Sequence, residues 1–378
     1  MSKFDFVWQS LDDTVASGHA PGIVAGIRHR GETGIHATGY RAFDSVHPME
    51  STTRCRIASL GKPLGGAIVA LMIDEGILEL DESVERWLPE LADMRVLKNP
   101  TGPLDETVAA ATPITVEHLL TLTNGIGLIF EETPLSTAIA EQGVGPGAIP
   151  PQMSADEYLK RIGALPLAYQ PGERWMYSMG SDILSVLIAR ASGKPLAEVV
   201  RERITEPLGM SATSFFASAE ELPTAYMGTP TGAAPTNYVV FDPPDGPFSK
   251  APAFETLACG IVSTVPDFLK FLTALADGAL LPAELQRRMT SGHLTDEQRV
   301  GSPPLLDENM NWGWQVGVMM DGTGPGRTPG SYGWNGGTGT TGFVDRENDL
   351  VACVFSQRMM AGPADNFDYF VKPLATLL

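Results

Sequence analysis

Ser59 and Lys62 stand three residues apart and are the pair in this sequence best suited to do chemistry together. Side chains at positions i and i+3 share one face of a helix, so the Ser59 hydroxyl would lie beside the Lys62 amine. A serine hydroxyl becomes a good nucleophile only when a neighbouring base removes its proton. Lys62 is the only lysine in the chain with a serine three residues before it. The pair predicts a nucleophilic serine with a lysine base; the simpler alternative is a helix-capping serine followed by a solvated lysine.

Two more segments have residues that suit a catalytic cleft. Tyr177 follows the Pro-Gly turn signal at 171–172 and precedes an amphipathic pattern that predicts a helix. Further on, residues 332–345 are rich in glycine and read as a strand, a turn and a second strand. Each segment also has an ordinary explanation when taken alone: a half-buried tyrosine beside a helix, and a hairpin with a wide turn.

The elements that must position these residues divide along the chain. Strand patterns with hairpin turns occupy residues 22–40 and 314–357, whereas helical periodicity dominates between them. A chain of 378 residues also exceeds the usual size of a single core. The pattern predicts an α+β protein with a discontinuous sheet domain, residues 1–63 and 210–378, interrupted by a helical domain, residues 64–209.

The composition excludes several classes of function. A formal charge of −19 with no basic cluster would repel nucleic acids and acidic membrane surfaces. The six histidines show no metal-ligand spacing and there is no Cys-x-x-Cys, so we expect neither a metal nor another cofactor. Three widely separated cysteines make a disulfide framework improbable. An aspartate near the start interrupts any signal-peptide pattern and no apolar run reaches membrane-spanning length, so a cytoplasmic protein is expected.

Together and in this order, the three motif segments resemble those of the serine β-lactamase and penicillin-binding protein superfamily. Its members combine Ser-x-x-Lys, a tyrosine or serine motif, and a strand with a Lys-Thr-Gly-like sequence. Residues 18–22, 114–125 and 260–264 resemble further parts of the same superfamily, so the resemblance spans most of the chain. It implies a β-lactamase/DD-peptidase-like fold, an antiparallel sheet flanked by helices with an inserted all-helical domain and the active site in the cleft between them.

Within the superfamily, the sequence is most similar to the class C β-lactamase-like carboxylesterases, called family VIII esterases. Pro63 follows the motif lysine, a Tyr-Ser-x-x-x-Asp motif runs from Tyr177 to Asp182, and Trp334 begins the third motif. The lipase elbow Gly-x-Ser-x-Gly is not met, because Ile57 stands where its first glycine would be.

Two departures from the β-lactamase pattern bear on the substrate. Met179 stands where β-lactamases and peptidases of the Tyr-x-Asn type have an asparagine, so the amide that would bind an acyl-amide group is missing. Trp334 replaces the lysine or histidine of the third motif and offers no cation to a carboxylate. Both departures favour an uncharged ester over a β-lactam or a peptide.

The resemblance implies a role for each of the three motif side chains. Ser59 is the nucleophile and Lys62 the base that activates it. An ordinary lysine is protonated at neutral pH, so we expect Lys62 to be buried beside a hydrogen-bonding partner, for which Tyr177 is the natural candidate. Tyr177 would protonate the leaving alcohol and later help to activate water.

The family pattern also assigns the substrate-binding residues. The backbone amides of Ser59 and Gly337 would form the oxyanion hole, and removing one such donor typically costs about 3 kcal/mol. Gly336 and Gly337 have no side chain that would block the approach of the strand to the substrate. Trp334 would form a wall of the pocket, and the neighbouring Asn335 is assigned to the same substrate-binding group.

We therefore expect a serine carboxylesterase (EC 3.1.1) that acts on small to medium carboxylic esters and has no nucleic-acid or membrane partner. An acyltransferase of the lovastatin-synthesis type shares the same motifs and is the first alternative. β-Lactamase or D-aminopeptidase activity is disfavoured by Met179 and Trp334. A non-catalytic ligand-binding relative would not need Ser59, Lys62 and Tyr177 together.

Overall fold

The computed structural model describes residues 2–228, 238–302, 305–321, 327–362 and 365–378. The strands of the described chain are β1 (Gly22–His29), β2 (Glu32–Gly39), β3 (Cys55–Arg56), β4 (Arg95–Leu97), β5 (Thr107–Ala109), β6 (Ala225–Gly228), β7 (Tyr238–Asp242), β8 (Val262–Ser263), β9 (Met310–Trp312), β10 (Gly317–Met319), β11 (Tyr332–Gly336), β12 (Thr340–Asp345) and β13 (Leu350–Phe355). The α-helices are α1 (Asp5–Ala16), α2 (Lys62–Asp74), α3 (Val116–Leu120), α4 (Pro134–Gln142), α5 (Ala155–Gly163), α6 (Met179–Ser192), α7 (Leu196–Val200), α8 (Val265–Ala276), α9 (Ala283–Met289), α10 (Asp296–Arg299) and α11 (Lys372–Leu374).

Strands from both ends of the chain form one antiparallel sheet. Among the described residues it has seven strands in the order β2-β1-β13-β12-β11-β10-β9. The hairpin β1–β2 turns at Arg30 and Gly31, whose φ angles are 49° and 77°. Two consecutive positive φ angles are typical of the tight hairpin turns that match strand twist. Strand β1 then pairs with β13, so the first hairpin and the last strands share a sheet, as the sequence predicted.

Helices cover both faces of this sheet. Side chains of β13 alternate between two hydrophobic clusters: Ala352 and Val354 belong to the cluster that includes α1, and Cys353 and Phe355 to the cluster that includes α8. Because both faces are covered, every residue of β12 and β13 is buried. The α+β class with an antiparallel sheet flanked by helices is thereby confirmed.

Helices α2 to α7 follow one another in the middle of the chain, as the sequence predicted. One part of the prediction needs correction, because this inserted segment is not wholly helical. Strands β4 and β5 pair within it as a short antiparallel sheet. Val96 and Leu97 of β4 are buried, and Val96 also forms a bridge with Leu167. These contacts with neighbouring segments set the extended conformation of β4, because the β preference of a short segment depends on its packing context.

Helix α2 positions the lysine of the first motif. Ten of its thirteen residues are buried, which is typical of a helix that is surrounded by protein. It packs against α6 and α9, and Lys62 is its first residue. Because the helix is packed on several sides, the backbone of Lys62 is held in one position.

The described chain contains no helix that is both long and apolar enough to cross a membrane. All three cysteines, Cys55, Cys259 and Cys353, are buried and unpaired.

Candidate active site

Ser59 lies in a short 3₁₀ helix, Ala58–Gly61, that leads directly into α2. The preceding Ala58 has a φ of 45°, in the left-handed region that residues other than glycine rarely adopt. Backbone strain of this kind costs about 1–3 kcal/mol and often occurs at functional sites. The turn brings the chain sharply from β3 into the helix and leaves Ser59 half-buried, between the fully buried Leu60 and Ala58.

Lys62 is fully buried and contacts three groups. Its Nζ lies 2.9 Å from the Ser59 Oγ and donates a hydrogen bond to the carbonyl oxygen of Ala258 at 2.8 Å. It also lies over the ring of Tyr177, 4.8 Å from the centroid. The structure therefore brings the hydroxyl and the amine of Ser-x-x-Lys within hydrogen-bond distance, as their spacing predicted.

Tyr177 stands in an aromatic cluster next to these two residues. Its ring centroid lies 5.6 Å from Trp175, 6.3 Å from Trp312 and 5.7 Å from Trp334. The indole Nε1 of Trp334 donates a hydrogen bond to the Tyr177 hydroxyl at 2.6 Å. Ser178, which follows, has a φ of 86° and turns the chain into α6. The phenol oxygen therefore accepts a hydrogen bond from a neutral donor. Trp334 was predicted only as a wall of the pocket, and the structure shows that it also binds the Tyr177 hydroxyl.

The glycine-rich strand β11 approaches the nucleophile segment closely. A β carbon on Gly336 would lie 2.1 Å from the carbonyl oxygen of Ile57, so only glycine fits there. After the strand, the Thr338 hydroxyl donates a hydrogen bond to the carbonyl oxygen of Arg56 at 2.7 Å. The Thr340 hydroxyl donates one to the carbonyl oxygen of Ile57 at 2.9 Å. Gly337 differs, because a β carbon there would meet nothing within 4 Å and would point into open space.

Direct contacts connect four of the seven predicted site residues. Ser59, Lys62, Tyr177 and Trp334 form one connected set of direct contacts. Asn335 instead accepts a hydrogen bond from Thr341 on the paired strand at 2.8 Å.

Met179 lies outside the connected set. It is completely buried, belongs to the main hydrophobic core and forms the first residue of α6. The position of the missing asparagine is therefore filled by a core side chain.

Sequence reasoning missed a buried carboxylate beside the lysine. Asp182 is 4% exposed and accepts a hydrogen bond from the Thr256 hydroxyl at 2.7 Å. Burial raises the pKa of Asp182 to about 6, although the hydrogen bond from Thr256 and the nearby Lys62 side chain act in the opposite direction. The only signal in the sequence was that Asp182 ends the Tyr-Ser-x-x-x-Asp motif.

A second missed feature is the ion pair beneath the nucleophile segment. Arg56 and Asp242 are both fully buried and form a salt bridge. Arg56 also donates hydrogen bonds to the carbonyls of Pro223 and Pro243. One guanidinium therefore ties β3, three residues before Ser59, to the chain around β7.

We expect Arg56→Met to lower the free energy of unfolding by about 3–5 kcal/mol, because it leaves the buried Asp242 carboxylate without its partner. Urea unfolding followed by circular dichroism measures the change. Arg203→Met is the matched control, since Arg203 pairs with the half-exposed Glu75 and its loss should cost less than about 1 kcal/mol. Equal effects of the two variants would contradict the structural importance of the Arg56 pair.

A cavity of about 560 Å³ opens beside Tyr177. Its walls include the side chains of Trp175, Leu128, Phe130 and Leu305, with Arg174 among the polar members. A cavity of this size lined largely by apolar and aromatic groups suits a small organic molecule.

No cluster of three or more possible metal ligands occurs within the described ranges.

Comparison with known proteins identifies a family model and several relatives that match most of the chain. The model of the Beta-lactamase family matches residues 9–375. An uncharacterized protein of Mycobacterium tuberculosis (strain CDC 1551 / Oshkosh) is 33% identical over 334 residues, covering 84% of this chain and 80% of that protein. Esterase EstB of Burkholderia gladioli is 28% identical over 375 residues, covering 93% of this chain and 91% of the esterase.

Among solved structures, one similar fold is that of EstCE1, described as a hydrolase with promiscuous acyltransferase activity. The TM-score is 0.81 at 22% identity, with 99% of this chain and 98% of the EstCE1 chain covered. At this identity the likeness shows a shared fold and not a shared substrate. The β-lactamase-like fold expected from the sequence motifs is confirmed.

Proposed function

Because the chain belongs to the Beta-lactamase family, we propose that it is a serine carboxylesterase that hydrolyses small to medium carboxylic esters through an acyl-enzyme on Ser59. The observation that carries the proposal is the continuous set of contacts from Ser59 through Lys62 and Tyr177 to Trp334. A nucleophile, a base and a third group that orients the base are the parts required for covalent catalysis by serine.

In the acylation step, the Ser59 Oγ attacks the ester carbonyl while Lys62 takes the hydroxyl proton. The distance of 2.9 Å between the Lys62 Nζ and the Ser59 Oγ supports this transfer. Tyr177 then gives its phenol proton to the departing alkoxide as the bond between the carbonyl carbon and the alcohol oxygen breaks. The proton that Lys62 took from Ser59 then passes to the Tyr177 phenolate, which restores both groups for the second half of the reaction.

In the deacylation step, a water molecule attacks the acyl-enzyme. Tyr177 passes its phenol proton to the Lys62 amine as it takes a proton from the attacking water. When the bond between the carbonyl carbon and the Ser59 oxygen breaks, the Lys62 ammonium gives its proton to that oxygen, which restores all three side chains. The carboxylic acid product is released. We assign the amides of Ser59 and Gly337 to the oxyanion in both steps, a role that the open space at Gly337 supports.

The substrate class follows from the groups around Tyr177. Trp334 supplies a neutral N–H to the tyrosine hydroxyl, at the position where a β-lactamase would supply a cation. A substrate carboxylate buried there would lose its hydration without gaining a charged partner. An ester has no such carboxylate, and the cavity beside Tyr177 offers room for its acyl or alcohol group.

We expect p-nitrophenyl butyrate to be hydrolysed with a kcat/KM at least about 100-fold above that of nitrocefin or a D-Ala-D-Ala peptide. An unpaired buried charge costs about 3 kcal/mol or more, which corresponds to that ratio. Steady-state kinetics with the three substrates measures it. A nitrocefin value equal to that of the butyrate ester would favour a β-lactamase instead.

Acyl transfer to an alcohol is the second candidate, and the cavity favours it because an acceptor alcohol could occupy the space beside Tyr177. The fold neighbour EstCE1, a hydrolase that also transfers acyl groups, supports the same idea. Product analysis with added alcohols separates the two functions: an esterase yields mainly free acid, and an acyltransferase yields mainly the new ester.

A further inference from the structure

We propose that Asp182 is a positioning residue for Lys62 and acts through Thr256 and the carbonyl group of Ala258. The inference rests on the proposed function, because it needs Lys62 to be the base that activates Ser59. Asp182 does not touch the reacting atoms, so its effect must be transmitted by the groups between it and the lysine.

Three hydrogen bonds connect Asp182 to Lys62. The Thr256 hydroxyl donates to the Asp182 Oδ1 at 2.7 Å, and the same hydroxyl oxygen accepts from the Ala258 amide at 3.0 Å. The Ala258 carbonyl in turn accepts from the Lys62 Nζ at 2.8 Å. Asp182 therefore fixes the direction of the Thr256 hydroxyl, which fixes the Ala258 peptide that receives the lysine.

The turn at 256–260 is held between two helices. On one side, the Leu257 amide donates to the Ser185 hydroxyl of α6 at 2.9 Å. On the other side, a β carbon on Gly61 would lie 2.8 Å from the Leu257 carbonyl oxygen, so the turn presses against the helix that begins at Lys62. In this packing the Ala258 carbonyl has little freedom, provided that Thr256 keeps its partner.

The charge of Asp182 has a second effect on the same lysine. The ionisable groups that interact with this carboxylate are Lys62 of α2, Tyr158 of α5 and Cys259 of the turn. Lys62 is the one basic group among them. A carboxylate in this enclosed place favours the ammonium that forms when Lys62 takes the Ser59 proton, as a buried aspartate does for a catalytic histidine.

Thr256→Val tests the connection, because valine keeps the shape of threonine and removes the hydroxyl. We expect the rate at which a fluorophosphonate phosphonylates Ser59, and kcat for p-nitrophenyl butyrate, to fall about 10-fold to 100-fold with little change in KM. Thr256→Ser, which restores a hydroxyl, should recover most of the loss.

Thr328→Val is the matched control. Thr328 also donates to a buried aspartate, Asp345, at 2.7 Å, but at the far end of the β11–β12 hairpin. A purely structural effect of losing such a bond would appear in both valine variants, whereas the phosphonylation rate should fall only in Thr256→Val.

Asp182→Asn keeps an acceptor for Thr256 and removes the charge. We expect the phosphonylation rate of the unmodified protein to fall as the pH is lowered through about 6, where the Asp182 carboxylate takes up a proton. In Asp182→Asn the inflection near pH 6 should be absent, and above pH 6 the rate should be lower than that of the unmodified protein. Thermal unfolding of each variant shows whether it is folded.

The outcomes separate this inference from the proposed function. If the unmodified protein is not labelled at Ser59, the esterase proposal itself fails. If it is labelled, but Thr256→Val reacts at the unmodified rate, Asp182 does not position Lys62. If Thr256→Val is slow and Thr256→Ser is equally slow, the loss comes from packing and the inference is again overturned.

Discussion

Ser59→Ala is expected to lower kcat for p-nitrophenyl butyrate by about 10⁴-fold or more, because it removes the hydroxyl on which the proposed acyl-enzyme forms. The Ser59 Oγ lies 2.9 Å from the Lys62 Nζ, which would take its proton as the oxygen attacks the ester carbonyl. Without the hydroxyl, the oxyanion amides and the pocket can assist only a direct attack by water, which lacks the covalent step. Steady-state hydrolysis measures the loss.

Mass spectrometry adds a readout that does not depend on turnover. After treatment with a fluorophosphonate, the adduct should lie on the peptide that contains Ser59 and should be absent from Ser59→Ala. Ser192→Ala is a suitable control, since Ser192 ends α6 and its hydroxyl donates only to the Ala189 carbonyl. An adduct elsewhere, or an active Ser59→Ala, would remove Ser59 from the mechanism.

Lys62→Ala and Tyr177→Phe are each expected to lower kcat by about 100-fold or more, the scale of general acid–base catalysis. Lys62→Ala removes the base that lies 2.9 Å from the nucleophile, and Tyr177→Phe removes the phenol proton while keeping the ring among its aromatic neighbours. KM should change much less than kcat, because neither group is needed to hold an uncharged ester.

Two variants control for the loss of an amine or a phenol as such. Lys194→Ala removes an exposed lysine that pairs with Glu202, and Tyr40→Phe removes the hydroxyl of an exposed tyrosine. Both should turn over at the unmodified rate. Near-normal turnover in Lys62→Ala or Tyr177→Phe would exclude that residue from proton transfer.

The elements near the site could be predicted from local patterns because their causes are local. The strand patterns on either side of a turn signal near Gly31 indicated the hairpin β1–β2, and the structure has it at Gly22–Gly39. The helical periodicity between the two strand regions indicated α2, and the i, i+3 spacing placed the Ser59 hydroxyl beside the Lys62 amine. Ser59 lies in the 3₁₀ turn just before α2, and a 3₁₀ turn also aligns side chains three residues apart, so the spacing still brings the two groups together.

The short sheet β4–β5 could not be predicted from local sequence patterns. Residues Arg95–Leu97 and Thr107–Ala109 are too few to show a period, and their pairing depends on the contact of Val96 with Leu167. Tertiary contacts override propensity in segments this short.

The contacts that surround the catalytic side chains join segments far apart in the sequence, so only the tertiary structure determines them. Trp334 donates to Tyr177 across 157 residues of sequence, Lys62 reaches the Ala258 carbonyl across 196, and Arg56 reaches Asp242 across 186. The sequence by itself determined which side chains could act as nucleophile, base and acid, because residue type and helical spacing define those roles. Only the packed structure decided which neutral donor, which carbonyl and which buried carboxylate surround them, because contacts between distant segments follow from how the sheet and the helices pack together.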